Sequence, residues 1–257
     1  MKRTRVLLPG WWSLLGGLAL ALLAQACGEE SPIPSGSEGA PANSNDPLDT
    51  KAATSTLGLS CSPGVDPADP RITDFSAADF DGNKGRWAGD RDLTLFVYDY
   101  HDPDSDSSKK LEMEAFNFSG QVVPGADDNY AGGGMHFDTS CVNTTRYGGI
   151  QFTLTGTSQN CTLYFDLQTY SQQALNEKGG CASYCYQFPR MEITPGSAPI
   201  TVLFSELEGT GIPNGAAAMA SEIMGIRWQL ELAPEQGASD QPACSYSLTV
   251  DDVKFVR

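Results

Sequence analysis

The chain has 257 residues, 16 Lys+Arg against 32 Asp+Glu, and a formal net charge of −16. A surface this negative repels phosphate backbones and argues against nucleic acid as a partner. Two histidines leave little material for imidazole chemistry, while a 40% hydrophobic content sets the chain apart from disordered sequences.

Residues 1–26 read as an export signal. Lys2, Arg3 and Arg5 form a basic start, and an apolar stretch ending in Leu18-Ala19-Leu20-Ala21-Leu22-Leu23 follows. That stretch carries Pro9 and is short for a stable membrane span. Ala24-Gln25-Ala26-Cys27 then resembles a bacterial lipobox, with Ala24 where Leu is most usual. The resemblance implies that Cys27 takes lipid and becomes the mature N-terminus, tethering a cell-envelope lipoprotein. Gly28 after that cysteine lacks the Asp signal for inner-membrane retention, which points to the outer membrane or cell surface. Loss of residues 1–26 removes three cations and no acids, leaving 13 Lys+Arg and a net charge of −19.

Residues 27–60 are rich in Ser, Gly, Pro, Ala, Asn and Thr and poor in large apolar side chains. They read as a flexible spacer, because such a stretch cannot bury enough surface to order itself. With Cys27 assigned to lipid, six cysteines remain: Cys61, Cys141, Cys161, Cys181, Cys185 and Cys244. An even number in an exported domain suggests three disulfides, and the pairing stays open. Cys181 and Cys185 are near enough to close a local loop. A zinc site is the alternative, but four well-spaced thiols are missing.

The domain proper, 61–257, carries Gly, Pro, Asn and Asp about every ten residues with short apolar runs between, the signature of an all-β sandwich or barrel. Period-2 alternation predicts strands at Ile150-Phe152-Leu154, at Leu163-Phe165-Leu167, at Ile200-Val202-Phe204 and at Ile226-Trp228-Leu230-Leu232. An Ala-rich stretch, 215–224, is the one short helical candidate. In the last strand Leu248 and Val250 point one way, Val253 and Phe255 the other. The phase slips at Asp251-Asp252, which a β-bulge reconciles.

Several segments carry a family resemblance. These are Ile72-Thr73-Asp74-Phe75, Tyr147-Gly148-Gly149-Ile150-Gln151-Phe152, Pro199 through Leu207, Ile226-Arg227-Trp228-Gln229 and Val250-Asp251-Asp252-Val253-Lys254-Phe255. In order, they resemble the galactose-binding-like jelly rolls of carbohydrate-binding modules. The resemblance implies a β-sandwich of jelly-roll type, non-catalytic glycan binding, and a structural calcium between first and last strands. Carried over, Asp74 and one of Asp251 and Asp252 would hold that ion, with carbonyls supplying further oxygens. A fold does not fix a function, so a protein-interaction module on the same sandwich stays open beside the glycan reading.

Two other acidic runs have the 1-3-5 spacing of calcium loops. Asp102-Pro103-Asp104-Ser105-Asp106 lacks Gly at its sixth position, and Asp79-Phe80-Asp81-Gly82-Asn83 has Lys84 there. Both read as solvated turns.

A sugar site pairs an aromatic platform with planar polar groups. Trp228 alternates with core residues and is read as core. Trp87, in a Gly/Asp/Arg-rich stretch, is the best loop aromatic. Tyr130 before Gly132-Gly133-Gly134 and Tyr147 before Gly148-Gly149 are further candidates. On the polar strand faces Tyr164, Asp166 and Gln168 align, and Arg190 with Glu192, and Arg227 with Gln229, can join them. Enzyme signatures are lacking: there is no Gly-x-Ser-x-Gly and no His-Glu-x-x-His, and His101 and His136 show no partner pattern. Glu112-Met113-Glu114 sets two acids at same-face spacing for a strand. A glycan-active enzyme is therefore the weakest reading.

The anchor has a direct check. A Cys27→Ser variant folds but moves from the membrane to the soluble fraction; its retention in membranes would place the anchor elsewhere.

Overall fold

The computed structural model describes residues 61, 64–125, 129–137, 141–208, 220–232 and 241–257. The signal (1–26), the whole 27–60 spacer with Cys27, and the 215–219 part of the helical candidate lie outside the described residues. The candidate's end is strand: Ile223 and Met224 open a ten-residue β-strand. Among the described residues the helical content is one 3₁₀ turn, Leu175–Glu177.

Among the described residues thirteen strands build two antiparallel sheets that face each other, the expected all-β sandwich of jelly-roll type. The front sheet runs in the order β10 (Arg190–Glu192), β9 (Cys161–Thr169), β12 (Ile223–Leu232), β7 (Tyr130–Phe137), β4 (Thr94–His101), β3 (Lys84–Arg86) and β2 (Phe80–Asp81). The back sheet runs β11 (Ile200–Leu203), β8 (Gly149–Gln159), β13 (Cys244–Val256), β6 (Ala115–Val122) and β5 (Asp106–Glu112), with β1 (Arg71–Thr73) on β13. The strands expected at 150–154, 163–167, 200–204 and 226–232 are β8, β9, β11 and β12.

Alternation fills the space between the sheets, as expected for aligned packing. Leu163, Phe165 and Leu167 of β9 and Ile226, Trp228 and Leu230 of β12 meet Phe116 and Phe118 of β6 and Phe152 and Leu154 of β8. Trp228 is fully buried, edge-on to Phe152 at 5.4 Å and to Phe165 at 6.4 Å. At one margin Lys109 of β5 reaches across to Asp99 of β4, a partly buried ion pair between the sheets.

The disulfides follow the six-cysteine reading. Cys61 joins Cys141 and Cys161 joins Cys244, closing separations of 80 and 83 residues, while Cys181–Cys185 spans four. Cys161 opens β9 and Cys244 opens β13, so their bond staples the front sheet to the back. In a chain-entropy account each long closure is worth roughly 4–5 kcal/mol and the short one far less.

The phase slip in the last strand is a β-bulge, as predicted. The register of β13 against β8 shifts between Asp251 and Lys254, and Asp252 has φ 51°.

Two hairpins hold further acidic residues: the Asp79–Asn83 run is the turn expected, and the Glu112/Glu114 spacing is corrected. The β2–β3 turn places Gly82 at φ 61° inside the Asp79–Asn83 run, and Asp79 pairs with Arg91. Glu112 and Glu114 do not share a strand face: Met113 (φ 52°) and Glu114 (φ 57°) form the two-residue turn between β5 and β6.

Candidate functional site

The outer face of the front sheet gathers the polar residues that the alternation singled out. In register across the strands, one row reads Arg190–Asp166–Arg227–Gly134–Tyr98, and the next Glu192–Tyr164–Gln229–Gly132–Tyr100. Gln168, Gly225, His136 and Phe96 make a third row, and Glu231 with Tyr130 flanks the second. Six predicted residues (Tyr164, Asp166, Gln168, Arg190, Arg227 and Gln229) therefore share one surface, and Tyr130, the first residue of β7, adjoins them.

The glycines explain how aromatics lie there. Gly132 to Gly134 are not a loop but the middle of β7. A Cβ on Gly134 would come within 2.7 Å of the Tyr98 ring, and one on Gly132 within 3.0 Å of the Tyr100 hydroxyl. Phe96, Tyr98 and Tyr100 of β4 thus lean over β7, and Tyr130 extends the row with ring centroids about 6 Å apart throughout. His136 stacks on Phe96 at 5.4 Å.

Charge sits beside this row. Asp166 is nearly sealed from solvent, and its Oδ2 accepts a hydrogen bond from Arg227 Nε at 2.6 Å. Arg190 Nε stands 3.6 Å from Asp166 Oδ1, and that pair of buried atoms has no hydrogen bond. The Arg190 guanidinium also donates to Glu231 and lies 3.7 Å from the centre of the Tyr164 ring. Arg227 is held between two rings, 5.3 Å from that of Tyr100 and 4.7 Å from that of Phe188. Gln168 accepts from the Tyr98 hydroxyl (2.9 Å); Gln229 accepts from Tyr100 (3.2 Å) and donates to Glu231 (2.6 Å).

Burial dominates the titration of these groups. It pushes the Asp166 carboxyl upward against the pull of Arg227 and Arg190. It pushes the Tyr100 phenol well above its usual range and raises Tyr164 as well. Burial opposes the charge on Arg227, yet Tyr100 and Asp166 hold that guanidinium above its usual value.

Two predicted aromatics do not belong to the site. Trp87 is fully buried, edge-on to Phe137 at 4.8 Å and near Phe255 at 6.0 Å, because its strand end turns into the core rather than out along the Gly-rich loop. Tyr147 is buried and stacks on Phe255 at 5.3 Å, closing the sandwich at the end of β13. Conversely, Tyr98, Tyr100, Glu231 and Phe188 join the site without having been singled out. Phe96, Tyr98 and Tyr100 alternate with Leu95 and Val97, so the period-2 pattern was there to find them.

The Asp102 run is a turn, as expected, but its first carboxylate is buried rather than solvated. Asp102 is buried and accepts hydrogen bonds from the Asp104, Ser105 and Tyr130 backbone N–H groups (2.9, 3.0 and 2.9 Å) and the Ser105 hydroxyl (2.6 Å), which ties the β4–β5 turn to β7. Its carboxylate is saturated by protein donors.

At the β13 bulge, Asp251 Oδ1 accepts from the Asp252 N–H (2.7 Å) and Asp74 Oδ1 from the Ser76 N–H (3.1 Å). Burial raises the Asp251 carboxyl, and the acids Asp252, Asp74 and Glu114 add to the rise. Among the described residues no three carboxylate, imidazole or thiol side chains gather as a metal-ligand group. A calcium at this corner would take most of its oxygens from carbonyls and water.

A recess of about 340 Å³ lies elsewhere, between β2, β3 and β4, lined by Phe80, Lys84, Arg86 and Arg91 among others. None of the predicted site residues lines it.

No family model and no curated relative matches the chain. Among solved structures it is similar to the family 11 carbohydrate-binding module of the cellulosomal cellulase Lic26A-Cel5E of Clostridium thermocellum, at 13% identity and a TM-score of 0.44, over 73% of this chain and 94% of that one. It is also similar to the solution structure of CtCBM11 (14%, 0.40, 62% and 87%). A third match is the Clostridium thermocellum module in complex with a β-1,3-1,4-mixed-linked tetrasaccharide (15%, 0.40, 69% and 92%).

The charge arrangement makes a measurable demand. Asp166→Asn leaves two guanidiniums without their shared counter-charge where water is largely excluded, and it costs about 3 kcal/mol in urea unfolding. The double variant Asp166→Asn/Arg227→Met recovers most of that loss. An Asp166→Asn protein within about 0.5 kcal/mol of wild type, the ordinary range for surface changes, would show that the pair is solvated.

Proposed function

We propose that the domain binds a glycan, without catalysing its cleavage, on the outer face of the front sheet. The supporting observation is that the half-buried Tyr130 and Tyr164 lie beside Arg190 and Glu231 on one face, over a buried row formed by Phe96, Tyr98 and Tyr100. Tyr130 is half-buried and offers its ring to the apolar C–H side of a pyranose, while Arg190 covers one face of the half-buried Tyr164 ring. Arg190, Glu231 and Gln229 offer donors and acceptors for its hydroxyl rim. Asp166 Oδ1 and Arg190 Nε, buried, unsatisfied and 3.6 Å apart, form an acceptor–donor pair that a bridging water can complete beneath the ligand surface. Asp166 is held between two arginines, so it acts as their counter-charge rather than as a free acid or nucleophile.

In this reading residues 1–26 direct export, Cys27 carries lipid, and the 27–60 spacer holds the domain off the outer membrane or cell surface. A calcium at Asp74 and Asp251/Asp252 is a separate part of the proposal. Mutual repulsion of the acids supports it.

Affinity electrophoresis against a polysaccharide panel that includes mixed-linked β-glucan tests the binding. Wild type is retarded by at least one polysaccharide, and Arg190→Ala, assayed well below its melting temperature, loses about tenfold in affinity. A wild-type protein retarded by none of them would overturn the proposal. For calcium, wild type melts higher with the ion than with EDTA and Asp251→Asn shows no such shift; equal melting of wild type in both would remove the ion.

A further inference from the structure

The chain between β9 and β10 leaves the sheet and returns, and it carries the most exposed tyrosine of the described residues. Tyr184 is 87% exposed and Tyr186 45%. Both stand at positive φ, 54° and 65°, where a bulky side chain costs on the order of 1 kcal/mol or more. The strain is held by a closed base. Cys181–Cys185 pinches the loop around Tyr184. The Tyr186 N–H donates to the Gln172 carbonyl (2.7 Å), the Cys181 N–H to Gln173 (3.0 Å) and the Gly180 N–H to Tyr170 (2.7 Å). A Cβ at Gly179 would fall 1.9 Å from the Gln173 carbonyl oxygen, so the loop lies flat against its own stem.

This loop is continuous with the site. The Tyr186 ring meets Phe188 edge-on at 6.1 Å, and Phe188 packs on the Arg227 guanidinium that binds Asp166. Pro189 then pairs with Leu167, which delivers Arg190 to its place over Tyr164.

We infer that the disulfide-closed 181–186 loop is an additional aromatic subsite, with Tyr184 as its platform, which extends the front-sheet site so that it takes a chain of several sugars rather than one or two. The inference rests on the glycan reading above and specifies the length of its ligand. Tyrosine presents a large rigid face at low entropic cost, and a disulfide that holds that face outward removes the ordering cost from binding. A sugar chain is the occupant these observations favour. The exposed rings are two separate plates bearing hydroxyls, and they continue a surface of planar polar groups.

The test uses the chain from residue 27 to 257, with Cys27→Ser for solubility, and two- and six-unit mixed-linked β-glucan oligosaccharides in calorimetry. Tyr184→Ala weakens binding of the six-unit chain about tenfold and leaves the two-unit chain unchanged. Tyr184→Phe keeps wild-type affinity for both. Cys181→Ser/Cys185→Ser behaves like Tyr184→Ala while melting close to wild type, because the two long cross-links remain. Equal loss of both lengths in Tyr184→Ala, or no loss in either, overturns this inference and leaves the glycan reading standing. Light scattering that shows a wild-type dimer dissolved by Tyr184→Ala, with sugar binding unchanged, makes the loop a contact between copies and also overturns it. A wild-type protein that binds neither oligosaccharide overturns the subsite and counts against the glycan reading itself.

Discussion

A carboxylate that is almost sealed from water has to be matched, and Asp166 is matched twice. Arg227 supplies a direct hydrogen bond and Arg190 stands opposite the second oxygen. Taking such charges out of water costs several kcal/mol per ion, so the arrangement holds only if each partner is fixed by its own neighbours. Those neighbours are the site. Tyr100 and Phe188 clamp Arg227, Tyr164 and Glu231 clamp Arg190, and Gln229 closes the ring between Glu231 and Tyr100. Remove the carboxylate and the aromatic row loses the reason for its geometry.

The scaffold beneath is built to keep that ring rigid. β9 and β12 carry the charged residues outward and Phe165, Leu167, Ile226 and Trp228 inward, so one alternating pattern serves both core and site. The glycine run of β7 is the compromise that allows tyrosines from β4 to lie across a neighbouring strand. Gly133 faces the other way, where a Cβ would strike Phe116 and Phe118 within 3 Å. The cross-sheet Cys161–Cys244 bond begins β9 itself and fixes the strand that carries Asp166 to the back sheet.

Much of this was legible in the sequence because period-2 patterns are. The strands at β8, β9, β11, β12 and β13, the core role of Trp228, the bulge at Asp251-Asp252 and the grouping of Tyr164, Asp166, Gln168, Arg190, Arg227 and Gln229 all follow from alternation. What alternation cannot give is which side of a Gly-rich stretch faces inward. Trp87 and Tyr147, each near glycines and charges, looked accessible, yet tertiary packing on Phe137 and Phe255 buries both. Gly132-Gly133-Gly134 is the middle of a strand, where glycine relieves close contact within a sheet rather than making a turn. Disulfide pairing depends on which strands meet in space, and no local spacing encodes it.

The central claim is that one face, and not the sandwich in general, contacts sugar. Amide NMR during titration with a six-unit mixed-linked β-glucan measures this directly. The account predicts shifts confined to Tyr164, Asp166, Arg190, Arg227, Gln229 and the 181–186 loop. Shifts centred on the outer face of the back sheet, at Thr155, Ser247 and Ser119, or no shifts at all, would contradict it.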